Sequence, residues 1–143
     1  QDLWFSSMNE DYQKWLDEGV ISDFVGADAD LGEDYGVLLF YTESEKTPQF
    51  ESLIDELIRR MQEEPVSARQ LDQLKHRYYG QSVRTLNSFD DIAIGYIRSA
   101  FAGYDYLEAM DVIETITPQE VSEACRCIVP QRKAVVIVNP KKK

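Results

Sequence analysis

The chain has 143 residues and a net charge of −11, from 26 acidic against 15 basic residues. That length buries one core and hardly two, so residues 1–143 read as a single domain. A hydrophobic share of 43% and an aromatic share of 11% suit a folded globule and argue against disorder, while the acidity argues against nucleic acid or anionic membrane as a partner, because phosphate binding needs clustered Lys and Arg.

Phe5, Met8, Tyr12, Trp15 and Leu16 fall on one helical stripe, and Gly19 is a stop signal. Val20 to Ala27 is apolar and β-branched and reads as a strand. The loop Asp28 to Asp34 holds four acids and a glycine. Tyr35 to Tyr41 is the return strand, which makes an antiparallel hairpin. Thr47-Pro48 places a cap donor before a proline at the first helical position, and Phe50, Leu53, Ile54, Leu57, Ile58 and Met61 then line one face. Ser67 with Gln70 is a capping box leading Leu71, Leu74 and Tyr78. Ser88 with Asp91 opens the run through Ile92, Ile97 and Phe101, which Gly103 ends. Thr117-Pro118-Gln119-Glu120 joins a capping box to an N1 proline and leads Val121, Ala124, Cys125 and Ile128; Pro130 stops it, and Ala134 to Val138 is the last strand.

That order, with three strands among several helices and no repeated strand-helix-strand alternation, predicts an α+β fold: an antiparallel sheet with helices on one face.

Chemistry-bearing patterns are few. Cys125 and Cys127 stand two apart on a helix, point to different faces, and lack the second pair of a structural zinc site; they read as thiols of a reducing compartment. The serines Ser6, Ser7, Ser22 and Ser82 have no identifiable His-acid partner. Asp28, Asp30, Glu33 and Asp34 fail the EF-hand spacing: counting from Asp28, Glu33 stands where Gly is needed and Leu39 where Glu is needed. The glycines are scattered singly, without a phosphate loop. The clustered aromatics from Tyr78 to Tyr106 read as core or interface, and Lys141-Lys142-Lys143 as a solvated tail. No apolar run reaches the roughly 18 residues of a membrane span. No signal peptide opens the chain, and the missing initiator Met suggests an excised fragment of a cytoplasmic protein.

A longer series is more informative. It runs from Leu16-Asp17-Glu18-Gly19-Val20-Ile21 before the hairpin, through Lys75-His76-Arg77-Tyr78-Tyr79-Gly80-Gln81-Ser82-Val83-Arg84-Thr85-Leu86-Asn87-Ser88 and Ile92 to Phe101. It continues through Met110 to Ile116 and Ile116-Thr117-Pro118-Gln119-Glu120-Val121, and ends at Val135 to Pro140. In order and spacing this resembles the C-terminal end of an insulinase-type (pitrilysin) zinc peptidase, closest to the bacterial branch whose genes encode paired, insulinase-like proteins. The resemblance covers about Met8 to Pro140, and none of its motifs is a catalytic signature.

The resemblance implies repeated α+β domains, two of which face each other across a closed chamber around an unfolded peptide. It implies zinc for the catalytic domain of the parent, held by a His-x-x-Glu-His helix and a distant glutamate. His76 is the one histidine here and is flanked by Lys75 and Arg77, so no zinc ligand set and no catalytic residue is expected in this chain. In many members an Arg and a Tyr of the non-catalytic half reach the substrate. Their places fall near Trp15 and on Ser22, with Lys14 as the nearest cation, which leaves Lys14 and Ser22 as the substrate-facing candidates. The implied role is a wall of the peptide chamber beside a catalytic insulinase-like domain, in the same chain or a partner subunit. The alternative is a structural or assembly domain of a zinc-free relative. As a piece of a larger unit, the chain is also expected to self-associate through bare strand edges or aromatic faces.

Overall fold

In the computed structural model, which describes residues 1–32 and 34–140 with the Met110 side chain excepted, the elements are α1 (Tyr12–Asp17), β1 (Val25–Leu31), β2 (Gly36–Thr42), α2 (Thr47–Glu63), α3 (Ala68–Thr85), α4 (Phe89–Ala102), α5 (Glu108–Thr115) and α6 (Pro118–Cys125). A 3-10 turn follows at Pro130–Arg132. The class is α+β, with one antiparallel pair and six helices. Glu33 of the acidic loop and the Lys141–Lys143 tail lie outside the described residues.

The N-terminal helix is shorter than its apolar stripe predicts. Residues before Tyr12 turn rather than wind, because Ser6 and Asn9 bond locally to the backbone. Asn9 Nδ2 donates to the Trp4 carbonyl at 2.6 Å, and its Oδ1 accepts the Asp11 N–H at 2.9 Å. The turn lets the adjacent Trp4 and Phe5 both enter the core, which one helical face could not do. Gly19 then takes a positive φ of 65°, and the N–H groups of Val20 and Ile21 fold back onto the Trp15 carbonyl.

The hairpin is displaced along the chain from its sequence reading. Val20 and Ile21 are buried core residues in the approach, and β1 starts only at Val25. It runs on through Asp28 and Asp30, so these two residues are strand and not the loop that their acidity predicts. Alternation explains this: Ala27, Ala29 and Leu31 share one side and Asp28 and Asp30 the other, as a half-solvated strand requires. Register is Ala27 opposite Phe40, Asp28 opposite Leu39 and Asp30 opposite Val37. The Gly32 N–H closes the turn onto the Tyr35 carbonyl at 2.9 Å.

One face of the hairpin is covered. Val25, Ala27, Leu38 and Phe40 pack on a core built by Trp4, Phe5, Trp15, Ile21, Leu57, Ile58, Met61 and Cys125. Phe5 is its hub, edge-on to Phe40 at 5.4 Å and stacked with Trp15 at 6.1 Å between centroids. Each such buried side chain contributes about 1.5–3 kcal/mol of transfer free energy.

The helix starts follow their caps. Ser67 and Ser88 each accept the N–H three residues on, at 3.4 and 3.3 Å. Thr117 and Glu120 form the full reciprocal box: the Glu120 N–H donates to Thr117 Oγ1 at 3.3 Å, and the Thr117 N–H to the Glu120 carboxylate at 2.8 Å. Thr47 is the exception. It is the first helical residue, Lys46 is the cap position, and no side chain caps α2. Gly103, at φ 78°, ends α4 as the left-handed C-cap.

The expected third strand joins no ladder. Among the described residues the sheet has two strands, and Ala134 to Val138 has neither regular structure nor backbone partners. Its side chains still alternate: Val135 and Ile137 are 50% and 52% exposed, Val136 and Val138 86% and 90%. Exposure with a period of two is what a strand shows, but among the described residues no second backbone pairs with this segment.

Candidate functional site

The face of the hairpin away from the core is bare. β2 directs Val37, Leu39 and Tyr41 outward, and Phe24, just ahead of β1, lies beside Tyr41 with ring centroids 5.8 Å apart. Directly opposite in register stand Asp30, Asp28 and Gly26. Gly26 is functional spacing: a Cβ there would collide with the Tyr41 ring and hydroxyl, so its absence lets that ring lie across β1. The face thus carries an apolar lane on β2 and an acidic lane on β1.

Among the described residues the outward backbone groups of its edges are mostly without partners. The Glu43 N–H donates to the Phe24 carbonyl and the Gly32 N–H to Tyr35, which fixes Gly26, Asp28 and Asp30 as the hydrogen-bonded positions of β1. The backbone groups of Val25, Ala27, Ala29 and Leu31 therefore point away from β2, and those of Leu38 and Phe40 away from β1. One of these is occupied: Gln1 Nε2 donates to the Ala27 carbonyl at 2.8 Å.

The two residues singled out from the sequence lie apart from this face in their bonding. Lys14 is an exposed residue of α1, the helix that sends Trp15 into the core. Ser22 lies ahead of β1 rather than inside a strand. Its Oγ accepts the Phe24 N–H at 3.2 Å, and its own N–H donates to Thr42 Oγ1 at 3.1 Å. Ser22 therefore fixes how the chain enters the hairpin.

The residues do not fit zinc. His76 is an exposed residue of α3 whose Nδ1 lies 2.8 Å from the Asp72 carbonyl. Among the described residues, no three His, Cys, Asp or Glu side chains group as a ligand set. Cys125 is buried and Cys127 exposed, so they do face apart, and burial raises the Cys125 thiol above its ordinary range, disfavouring the thiolate a metal needs.

Two further surfaces are apolar. A groove of about 360 Å³ opens on the inner side of the hairpin, lined mainly by Leu38, Leu71, Leu74, Ile113 and Ile116, with Asp2 and Tyr78 also in its wall. Along α4, the row Phe89, Ile97 and Phe101 is exposed together with Ile94.

No family model matches the chain, and no curated protein matches it. The three-dimensional comparison is different. A crystal structure of a protein assigned as an M16-like peptidase from Alicyclobacillus acidocaldarius superposes with a TM-score of 0.79, over 87% of this chain, at 16% sequence identity. The fold is shared. The chain spans 30% of that protein's length. At this identity the likeness speaks for architecture, and it matches the α+β expectation.

The apolar lane has a signal that the sequence reading passed over. Val37 to Tyr41 is five apolar residues without a polar alternate. A strand of that kind is apolar on both faces, and here only one is covered. The acidic lane has its own signal in Asp28-Ala29-Asp30, which a loop reading hides.

Proposed function

We propose that this chain is a non-catalytic, C-terminal portion of an insulinase-like zinc peptidase, where it forms part of the wall of the chamber that encloses an unfolded peptide. The observation that carries the reading is the bare face of the hairpin, in a fold shared with an M16-like protein over 87% of the chain. A sheet covered by helices on one side and presenting apolar residues on the other needs something to cover the second side, and an extended peptide fits a flat strand surface. In this reading catalysis and the zinc belong to an insulinase-like domain in the same chain or a partner subunit, and the absence of a His, Cys, Asp and Glu ligand cluster among the described residues supports it.

A second reading has one observation in its favour. The places where the resemblance expects an Arg and a Tyr fall near Trp15, which is buried in the core beside the exposed Lys14, and on Ser22, which is bonded to local backbone. A structural domain of a zinc-free homologue, with no part in proteolysis, needs neither group.

Photo-cross-linking separates the two. A benzophenone side chain placed at Leu39 should capture a reduced, alkylated polypeptide, while the same group at Glu56 on the outside of α2 should not. Equal capture at both positions overturns the chamber-wall reading. Zinc measured after dialysis should stay far below one ion per chain; stoichiometric zinc with Cys125 or His76 as ligand overturns the non-catalytic assignment.

A further inference from the structure

The two lanes of the bare face differ in a way that selects a partner. A solvated sheet face is polar across both strands, and a face buried in a core is apolar across both. This one is apolar along Val37, Leu39 and Tyr41 and anionic along Asp30 and Asp28, one strand spacing away, about 4.8 Å. Among the described residues no cation pairs with either carboxylate. Asp30 accepts one weak bond, from the Tyr35 hydroxyl at 3.4 Å. Asp23 and Asp34, close along the chain to the two ends of β1, carry the same sign.

Taking the chamber-wall reading as its basis, we propose that this face selects unfolded peptides in which Lys or Arg alternates with apolar residues. Apolar side chains of such a peptide lie on Val37, Leu39 and Tyr41. Lys and Arg rest their methylenes on the same lane and carry their charged ends across to Asp28 and Asp30. Covering the carboxylates with peptide lowers the local dielectric, which strengthens the attraction to a cation and raises the cost of an uncompensated charge. An acidic peptide meets repulsion there and from a chain of net charge −11. Selectivity thus has an attractive and a repulsive element on one surface.

The test uses three labelled twelve-residue peptides, alternating Leu with Lys, with Ser or with Glu, in fluorescence anisotropy against the whole chain. The Lys-Leu peptide should bind tightest and weaken as salt rises from about 50 to about 300 mM. Asp28→Asn with Asp30→Asn should weaken it about tenfold, the equivalent of about 1.4 kcal/mol, and leave the Ser-Leu peptide unchanged. Asp17→Asn with Glu123→Gln removes the same charge away from the hairpin and should change binding less than about twofold. Circular dichroism checks that each variant folds. If both double variants weaken the Lys-Leu peptide equally, attraction is to net charge alone and the inference is overturned. If all three peptides bind alike and Leu39→Ser weakens all of them, charge selection falls while the chamber wall stands. If Leu39→Ser changes none of them, both fall.

Discussion

The Tyr78 hydroxyl donates to the Asp2 carboxylate at 2.7 Å, joining α3 to a residue 76 positions earlier. Partial burial first, and then this bond, push the tyrosine up to about 12. The contact closes one side of the apolar groove that also takes in Leu71 and Leu74 of α3 and Ile113 of α5. It is the kind of tie that fixes a helix whose apolar face is thin: α3 buries only Leu71.

Tyr78→Phe should therefore destabilise the chain by about 0.5–1.5 kcal/mol at neutral pH, the usual net value of a hydrogen bond at a partly exposed position. The sign with pH follows from the direction of the shift. A tyrosine raised in the folded state gives stability that is whole below its unfolded value and lost as pH rises through the folded one. The difference between wild type and Tyr78→Phe in urea midpoint should shrink from about pH 10 to about 12. A difference constant across that window would show that the hydroxyl is not bonded to a carboxylate.

Thr117→Ala should cost about 0.5–2 kcal/mol by removing the N-cap of α6. The Thr117 side chain and backbone N–H both hold the Glu120 carboxylate below its ordinary range. The support from Glu120 is then present above the unfolded carboxylate value and lost as pH falls through the lower folded one. The gap in thermal midpoint between wild type and Glu120→Ala should be wider at pH 7 than at about pH 3. A midpoint untouched by Thr117→Ala would place the cap elsewhere.

Leu57 and Phe101 should behave oppositely although both are large apolar helix residues. Leu57 is 1% exposed in the core, and Leu57→Ala should cost about 2–5 kcal/mol through lost transfer energy and a residual cavity. Phe101 is 89% exposed, so Phe101→Ser should stay within about 0.5 kcal/mol of wild type. Chemical denaturation of both variants measures this directly. A large loss for Phe101→Ser would mean that its face is covered within the chain.

The exposed row of α4 and the unpaired segment Val135–Val138 should make the chain self-associate in sedimentation at about 100 μM. Ile97→Ser with Phe101→Ser should shift the distribution toward monomer. A strictly monomeric wild type would mean that these surfaces are tolerated in water, and the reading of the chain as part of a larger sheet-and-helix unit would lose physical support.

Much of this fold is local chemistry and was legible in residues. Ser67, Ser88 and Thr117 mark helix starts because each puts an oxygen three residues before an N–H that has no helical partner. The amphipathic face of α2 follows from a period of 3.6, and the presence of a hairpin from two apolar, β-rich runs around a turn. Other features needed the assembled chain. Val20 and Ile21 have the composition of a strand but turn into the core, because Gly19 reverses the backbone onto Trp15. Asp28 and Asp30 look like a loop until Phe40 and Leu38 pair with their neighbours and turn the carboxylates to solvent. Ala134 to Val138 has the residues of a strand and is not one, since a strand exists only where another backbone answers its N–H and C=O groups. Ser22 is tied to the Thr42 hydroxyl, twenty residues on, which comes near it only when the chain folds. The sequence by itself determined where α3, α4 and α6 begin and which stripe of α2 is apolar, because caps and helical periodicity act within a few residues. Only the tertiary structure decided which face of β2 stays bare, because both faces of Val37 to Tyr41 are apolar and packing, not composition, chooses the one that meets the core.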